Sequence, residues 1–450
     1  MLILGLNKTA TNLIQTPYLQ AEQTERLELK MNNINDLNIE KEILPLFNYS
    51  LNMFSRNKIL EIFGKPLQST NDIIQRQNIL KGFSKNQKIL KDYSYTVLYL
   101  NEVHFFLNDE KIEDLSKKKL KYKLFASKQE KIRYTSKLNQ LILFFHRLES
   151  KYFTRLNLEA FPKDYASDIK QILQFLSSFE LHKFEPIIRE KRLKDNHVIE
   201  LIEKINELKR KELIRPFWEV FFLFESYLSI NFGIIKNNLS FPTFTKDKIN
   251  LRDFYHPLLE NPVKNNLETN SNVIVLNGPN MSGKSTFLKA VGLCMYFGHL
   301  GIGIPASKGD IPFCDYFSIE INRRDDILNG YSHFMTEVMN LKNVVEQASN
   351  GKHCFAVFDE LFSGTNVEDG FEICKTTING LSKFNHSYFF ISTHIQELKN
   401  VSNGQIENYY IDCELIENIP TFTYQLKKGW SNIKVGRILF EKEGLNKLLN

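Results

Sequence analysis

From about residue 41 to 236, apolar residues recur at steps of three and four with charged residues between them. Val198, Leu201, Ile202, Ile205 and Leu208 fall on one helical face, while Glu203, Lys204, Glu207 and Lys209 fall on the other. That spacing predicts an amphipathic helix. Similar patterns predict helices over residues 50–63, 71–83, 130–152 and 168–178, with Pro66, Pro162 and Pro216 as punctuation. No repeat of fixed period and no low-complexity tract interrupts them. Most of this half reads as a helical scaffold without catalytic chemistry.

After Phe241-Pro242 the texture changes. Short runs of β-branched and aromatic residues at 273–276, 354–358 and 388–392 alternate with helical patterns and are bounded by Gly, Asn and Asp. These are the marks of buried parallel strands in an α/β domain. The expected division is an N-terminal segment, 1–40, an all-α domain, 41–236, and an α/β domain, 237–450. Length agrees with more than one domain, since 450 residues exceed the roughly 250–300 that a single core serves. The 36 Phe and 18 Tyr argue against disorder as the main state.

Cys294, Cys314, Cys354, Cys374 and Cys413 form no C-x-x-C pair and read as buried, reduced thiols. The apolar start Met1–Leu6 is too short for a signal sequence, and no uncharged apolar run approaches the ~20 residues of a membrane span. The expectation is a soluble, cytoplasmic protein. Lys and Arg exceed Asp and Glu by 58 to 52, which permits a nucleic-acid partner without arguing for one.

Val273-Ile274-Val275-Leu276 runs into Asn277-Gly278-Pro279-Asn280-Met281-Ser282-Gly283-Lys284-Ser285-Thr286, followed by the helical start Phe287-Leu288-Lys289. Gly278, Gly283, Lys284 and Ser285 fit the P-loop pattern G-x-x-x-x-G-K-[ST] at every fixed position. The glycines let backbone N–H groups curl around phosphate oxygens, and the helix N-terminus adds its dipole. In that pattern Lys284 reaches the β- and γ-phosphates and the Ser285 hydroxyl takes a place on Mg²⁺. A glycine turn without nucleotide is the plainer alternative, and placement between a strand and a helix speaks against it. The run Cys354–Phe358 ends in Asp359-Glu360, where Asp359 would hold Mg²⁺ and Glu360 would orient or deprotonate water. A third run, Ser387–Ser392, ends in Thr393-His394, and His394 is a candidate sensor of the γ-phosphate or a structural histidine.

These residues resemble the MutS family of DNA mismatch-repair ATPases. Gly278–Thr286 resembles its G-P-N-M-[GS]-G-K-S-T Walker A, and Asp359-Glu360-Leu361-Phe362-Ser363-Gly364-Thr365-Asn366 resembles its extended Walker B. Thr393-His394 matches the family's T-H, Ser332–Glu337 resembles its S-x-F-x-x-E, and His256-Pro257 stands where the family has H-P. In the helical half, Arg56–Phe83 resembles the lever helices. The resemblance implies a P-loop NTPase domain of the MutS C-terminal type, preceded by an all-α lever domain. It further implies ATP and Mg²⁺ as ligands, Ser332 presented across a homodimer to the partner's γ-phosphate, and duplex DNA, distorted or branched, as the partner. Tyr410 aligns with the ring that stacks on adenine, although Tyr409 and Tyr410 could simply alternate faces of a strand.

Departures from the family shape the expectation too. Only about 40 residues precede the lever, far below the ~100 of a domain, so direct mismatch reading is not expected. Phe217-Trp218-Glu219 fits the family's F-x-E wedge but sits on an apolar helix and reads as core. Ser363 replaces an Arg found in many members, and no nuclease tail follows before Asn450. Between Lys117 and Lys137 nine basic residues accompany the single acid Glu130, with Tyr122, Phe125 and Tyr134 interleaved. That segment either grips duplex phosphates or is a solvated helix face. The reading is an ATPase whose nucleotide cycle gates its hold on DNA. Its rivals are a nucleotide switch acting on RNA or ribosomes, and a module that binds ATP with little hydrolysis.

Overall fold

The computed structural model describes residues 34–109, 117–321, 333–362, 365–401, 404–416, 419–431, 433, 435–442 and 448–449. A helical region precedes a mixed α/β sheet region. The chain divides into two compact units, one of Leu46–Ile62 with Ile74–Lys236, the other of the residues to Pro45, Phe63–Ile73 and Asn237 onward. The stretch Phe63–Ile73 therefore packs with the sheet, although its sequence lies within the helical pattern.

The helices run in order α1 (Met53–Gly64), α2 (Thr70–Lys85), α3 (Gln87–Leu90), α4 (Val97–Asn108), α5 (Lys117–Ala126), α6 (Lys128–Lys151), α7 (Lys163–Ser177), α8 (Leu181–Arg189), α9 (Asp195–Arg210) and α10 (Ile214–Lys236). Ser127 caps α6 by accepting a hydrogen bond from the Glu130 N–H at 3.2 Å. Pro216 falls in the first turn of α10, where its missing N–H costs nothing. This helix is largely buried. It is long and apolar enough to cross a membrane by length and composition, yet 72% of its most apolar window is buried inside the protein. Phe217 stacks on Phe175 with ring centroids 3.9 Å apart, and Phe217 and Trp218 are both buried while Glu219 faces outward. The F-x-E match is thus core packing. Gly233 is required by contact, because a Cβ there would lie 2.6 Å from the Leu46 carbonyl oxygen.

In the second unit the strands are β1 (Thr243–Thr245), β2 (Ile249–Phe254), β3 (Asn265–Thr269), β4 (Val273–Asn277), β5 (Lys308–Pro312), β6 (Tyr316–Glu320), β7 (Cys354–Phe358), β8 (Tyr388–Ser392), β9 (Ile406–Ile416) and β10 (Ile419–Lys428). With them come α11 (Lys284–His299), α12 (His333–Ser349), α13 (Val367–Leu381) and α14 (Val435–Lys442). Six strands form one sheet in the order β10-β9-β4-β8-β7-β6, parallel except for β10. Every residue of β4, β7 and β8 is buried, as strands covered on both faces must be. A second sheet, β1-β5-β2-β3, was not expected from the sequence pattern. Its strands are short and carry Asn, Arg, Asp and Lys, so their apolar signal is weak.

The chain up to Pro45 belongs to this unit as well. Asp36 accepts a hydrogen bond from the Ile321 N–H at 2.7 Å, at the end of β6. Tyr296 donates to the Phe63 carbonyl at 2.8 Å. His299 is fully buried, with Nδ1 2.7 Å from the Met295 carbonyl and Nε2 accepting from the Cys314 N–H at 2.8 Å. Both contacts suit the neutral ring protonated on Nδ1, and burial pushes its pKa down to about 4. The five cysteines are free and buried.

Candidate functional site

Three neighbouring strands bring the candidate residues together. In the parallel register Leu276 lies opposite Ser392, and Phe358 opposite Ile391, so β4, β8 and β7 end side by side. The loop 278–283, the pair Asp359-Glu360 and the pair Thr393-His394 leave from those ends. Thr393 is tied to β4 by its N–H, which donates to the Leu276 carbonyl at 3.0 Å.

Gly278 and Gly283 have φ of 151° and 96°, and Met281 adopts φ 67° with its side chain 74% exposed. A Cβ on Gly278 would lie 3.0 Å from Ser282 Oγ, and one on Gly283 would lie 3.1 Å from the Tyr424 ring. These two positions need glycine for both conformation and space. Lys284 is buried and turns back over the loop, donating to the Gly278 and Pro279 carbonyls at 3.0 and 3.2 Å. Burial lowers the pKa of its ammonium, against the opposing pull of Glu360 and Asp359. Ser282 is wholly buried and its hydroxyl has no hydrogen-bond partner among the described residues, an orphan inside the loop. Asn280, Ser285 and Thr286 are exposed, whereas Pro279 is buried.

Ser285 Oγ donates to Asp359 Oδ2 at 2.5 Å. The other carboxylate oxygen, Oδ1, accepts from Ser392 Oγ, which in turn accepts from the Glu360 N–H at 2.8 Å. Ser392 thus clamps both acids, and it is completely buried. Glu360 has φ 55°, and its Oε1 lies 2.5 Å from His394 Nε2. Phe362 also has positive φ, and its N–H donates to Glu337 Oε2 at 2.9 Å. Asn366 caps α13 by accepting from the Asp369 N–H at 2.8 Å. Ser332, Ser363 and Gly364 lie outside the described residues.

Tyr410 sits on β9 opposite Asn277, the residue before the loop, and is half-buried. Tyr409 points the other way, buried, with its hydroxyl donating to the Glu268 carbonyl at 3.1 Å. Sequence reasoning missed two neighbours. Ser392 carried no signal beyond its place at a strand end. Tyr424 is brought against Gly283 by a bulge in β10 between Phe422 and Leu426, at φ 58°. Asn265 pins that bulge, donating to the Tyr424 carbonyl at 3.0 Å and accepting from the Leu426 N–H at 2.7 Å.

No group of three His, Cys, Asp or Glu side chains among the described residues is arranged to hold a metal ion. The pair Ser285–Asp359 suits a different kind of site. Mg²⁺ prefers a few hard oxygen donors, completed by water and substrate phosphate. A hydroxyl and a carboxylate already in contact fit that donor set.

Residues 274–445 match the family model described as MutS domain V. Over this span the chain is MutS-like. It is 29% identical over 217 residues to the DNA mismatch repair protein MutS of Bacillus subtilis, covering 46% of this chain and 25% of that protein. The MutS of Thermotoga maritima is 27% identical over 324 residues, 68% of this chain and 40% of its own length. For Persephonella marina MutS the figures are 29% over 338 residues, 69% and 37%. The MutS-like chain therefore spans between a quarter and two-fifths of the curated relatives it matches.

Proposed function

We propose that this MutS-like protein binds and hydrolyses Mg-ATP at the loop 277–286 and uses the nucleotide cycle to gate its hold on DNA. The reading rests on one observation above all. Lys284, the Ser285–Asp359 contact and the Glu360–His394 contact converge at three adjacent strand ends. Loop amides and the α11 N-terminus receive the phosphates, and the Ser282 hydroxyl gains a partner there. The Lys284 ammonium leaves its two loop carbonyls for phosphate oxygens and stabilises charge on the transferred group. Ser285 and Asp359 would hold Mg²⁺, which supplies charge neutralisation across the phosphates when bound. Glu360 positions the attacking water and accepts its proton, and His394 orients Glu360. Tyr410, and Tyr424 lying against Gly283, are the rings available to adenine.

The family name borne by the relatives is the ground for DNA as the partner, in our reading a distorted or branched duplex. On the same ground we assign residues 41–236, apart from the stretches to Pro45 and Phe63–Ile73 that group with the sheet, to a lever domain and 237–450 to the ATPase domain of a cytoplasmic homodimer. In that assembly Ser332 closes the partner's site.

Turnover of the purified protein, with and without linear, branched and mismatched duplexes and a structured RNA, tests this reading. Stimulation by branched DNA, lost by at least about a hundredfold in Glu360→Gln while nucleotide binding persists, is the expected result. Stimulation by RNA alone would replace DNA with an RNA partner. A turnover unmoved by Glu360→Gln would leave a binding module.

A further inference from the structure

Five of the nine basic residues between Lys117 and Lys137 are ion-paired within the protein. Lys117 pairs with Glu203 at 3.2 Å, Lys123 with Glu130 at 3.7 Å, Lys131 with Asp195 at 2.6 Å, and Lys137 with Glu102 at 3.8 Å. Arg133 pairs with Asp109 at 3.7 Å and with Glu130 at 3.5 Å. Tyr134, which the sequence pattern interleaves with these cations, is buried. Those residues form an ion-paired helix surface with little charge to spare.

One face of α5 differs. Leu120 and Leu124 turn inward. Lys118, Lys121, Tyr122 and Phe125, spaced by three, four and seven residues, share the outer stripe. Among the described residues neither Lys118 nor Lys121 has an acidic partner, and both are exposed. Tyr122 is 74% exposed and Phe125 92%, two aromatic rings one turn apart beside these two lysines. Scattered exposed apolar residues are ordinary. Rings and lysines without an acidic partner among the described residues, on one stripe of a surface where five other cations are ion-paired, call for a partner with negative charge and flat π faces.

Duplex DNA offers phosphates and base edges, but its base faces are stacked against each other. Unpaired strands offer both phosphates and free base faces, and aromatic side chains bind them by stacking. An anionic membrane would also attract lysines, yet the apolar part here is only two rings on a ten-residue helix whose leucines face inward. We propose that Lys118, Lys121, Tyr122 and Phe125 form a contact site for unpaired DNA, the rings stacking on bases and the lysines meeting phosphates. This deepens the DNA reading above and rests on it.

The test is fluorescence anisotropy of the full chain with a labelled oligo-dT, a fork with single-stranded arms and a paired duplex of equal length. Oligo-U and phosphatidylserine vesicles serve as competitors. The double variant Tyr122→Ser/Phe125→Ser should weaken oligo-dT and fork binding by about tenfold to a hundredfold and leave the duplex unchanged. Lys118→Gln/Lys121→Gln should flatten the salt slope on oligo-dT by about 1.4, roughly 0.7 per phosphate. All four positions are exposed, so these variants should fold, which circular dichroism and ATP binding check. Equal losses on all three DNAs, no loss on any, or stronger competition by oligo-U or vesicles would overturn the proposal. If wild type binds DNA in a nucleotide-dependent way and the variants do the same, only this site falls. If wild type binds no DNA, the DNA reading falls with it.

Discussion

Glu225 lies in the middle of α10, 4% exposed, where Tyr93, Ser55 and Asn52 donate hydrogen bonds to its carboxylate at 2.9, 2.8 and 2.5 Å. Burial outweighs these donors and that of Tyr95, and raises the carboxyl from its ordinary 4.5 to about 7. The folded helical unit therefore holds a proton that the unfolded chain releases. A raised pKa contributes stability that is full below pH 4.5 and is lost as pH rises through about 7. The loss is about 1.4 kcal/mol per pH unit across that window, or about 3 kcal/mol in all. His104, on α4, acts in the opposite sense, because burial lowers its pKa and favours the neutral ring. Tyr93 and Tyr95, pushed well upward by burial and by Glu225, stay neutral throughout. A raw stability profile is thus a sum, and comparison with Glu225→Gln isolates the carboxyl.

The assay is urea unfolding between pH 4.5 and 8 in a Trp430→Phe background. Trp218, buried in the helical unit, is then the only indole in the chain. Wild type should lose about 3 kcal/mol relative to Glu225→Gln across the range, with most of the change below pH 7. A difference curve flat to within about 0.5 kcal/mol would refute the claim that the native carboxyl is protonated near neutrality.

Two further outcomes follow from close contacts. Ser392→Ala removes the hydroxyl that holds Asp359 and the Glu360 amide, so the Mg²⁺ needed for half-maximal nucleotide binding, measured in a Glu360→Gln background, should rise about five- to tenfold, while Ser392→Thr should keep it. An unchanged Mg²⁺ titration would deny Ser392 that positioning role. Gly82→Ala places a Cβ 2.3 Å from the Phe161 ring and should cost about 1–3 kcal/mol in urea unfolding despite the better helix former. Gly380→Ala on α13 meets nothing within 4 Å and should be neutral or stabilising by up to about 1 kcal/mol, so equal effects of the two would contradict the packing account.

What the sequence discloses is local, and what it hides is pairing. Val273–Asn277, the two constrained glycines and Lys284 form a strand, turn and helix within one short window, so their chemistry is written consecutively. Asp359-Glu360 and His394 are legible for the same reason, each following its own apolar run. That β8 lies between β4 and β7, putting His394 beside Glu360, is a fact of sheet order that no window contains. Ser392 acquires its clamp role only from that order, and Tyr424 reaches Gly283 only through a bulge fixed by Asn265, 159 residues away. The same distinction decides the basic segment. Counting charges along residues 117–137 leaves a cationic grip and a solvated helix face both open. The acids that answer those charges come largely from α4 and α9 and the residue after α4, far off in sequence: Glu102, Asp195, Glu203 and Asp109. Tyr134 is buried for a reason the sequence did hold, since it shares a helical face with Leu138, Leu141 and Phe145. Five of the nine cations are ion-paired and one of the three rings is buried, and Lys118, Lys121, Tyr122 and Phe125 remain together on one stripe of α5. The contact site proposed above follows from that stripe rather than from the segment's total charge.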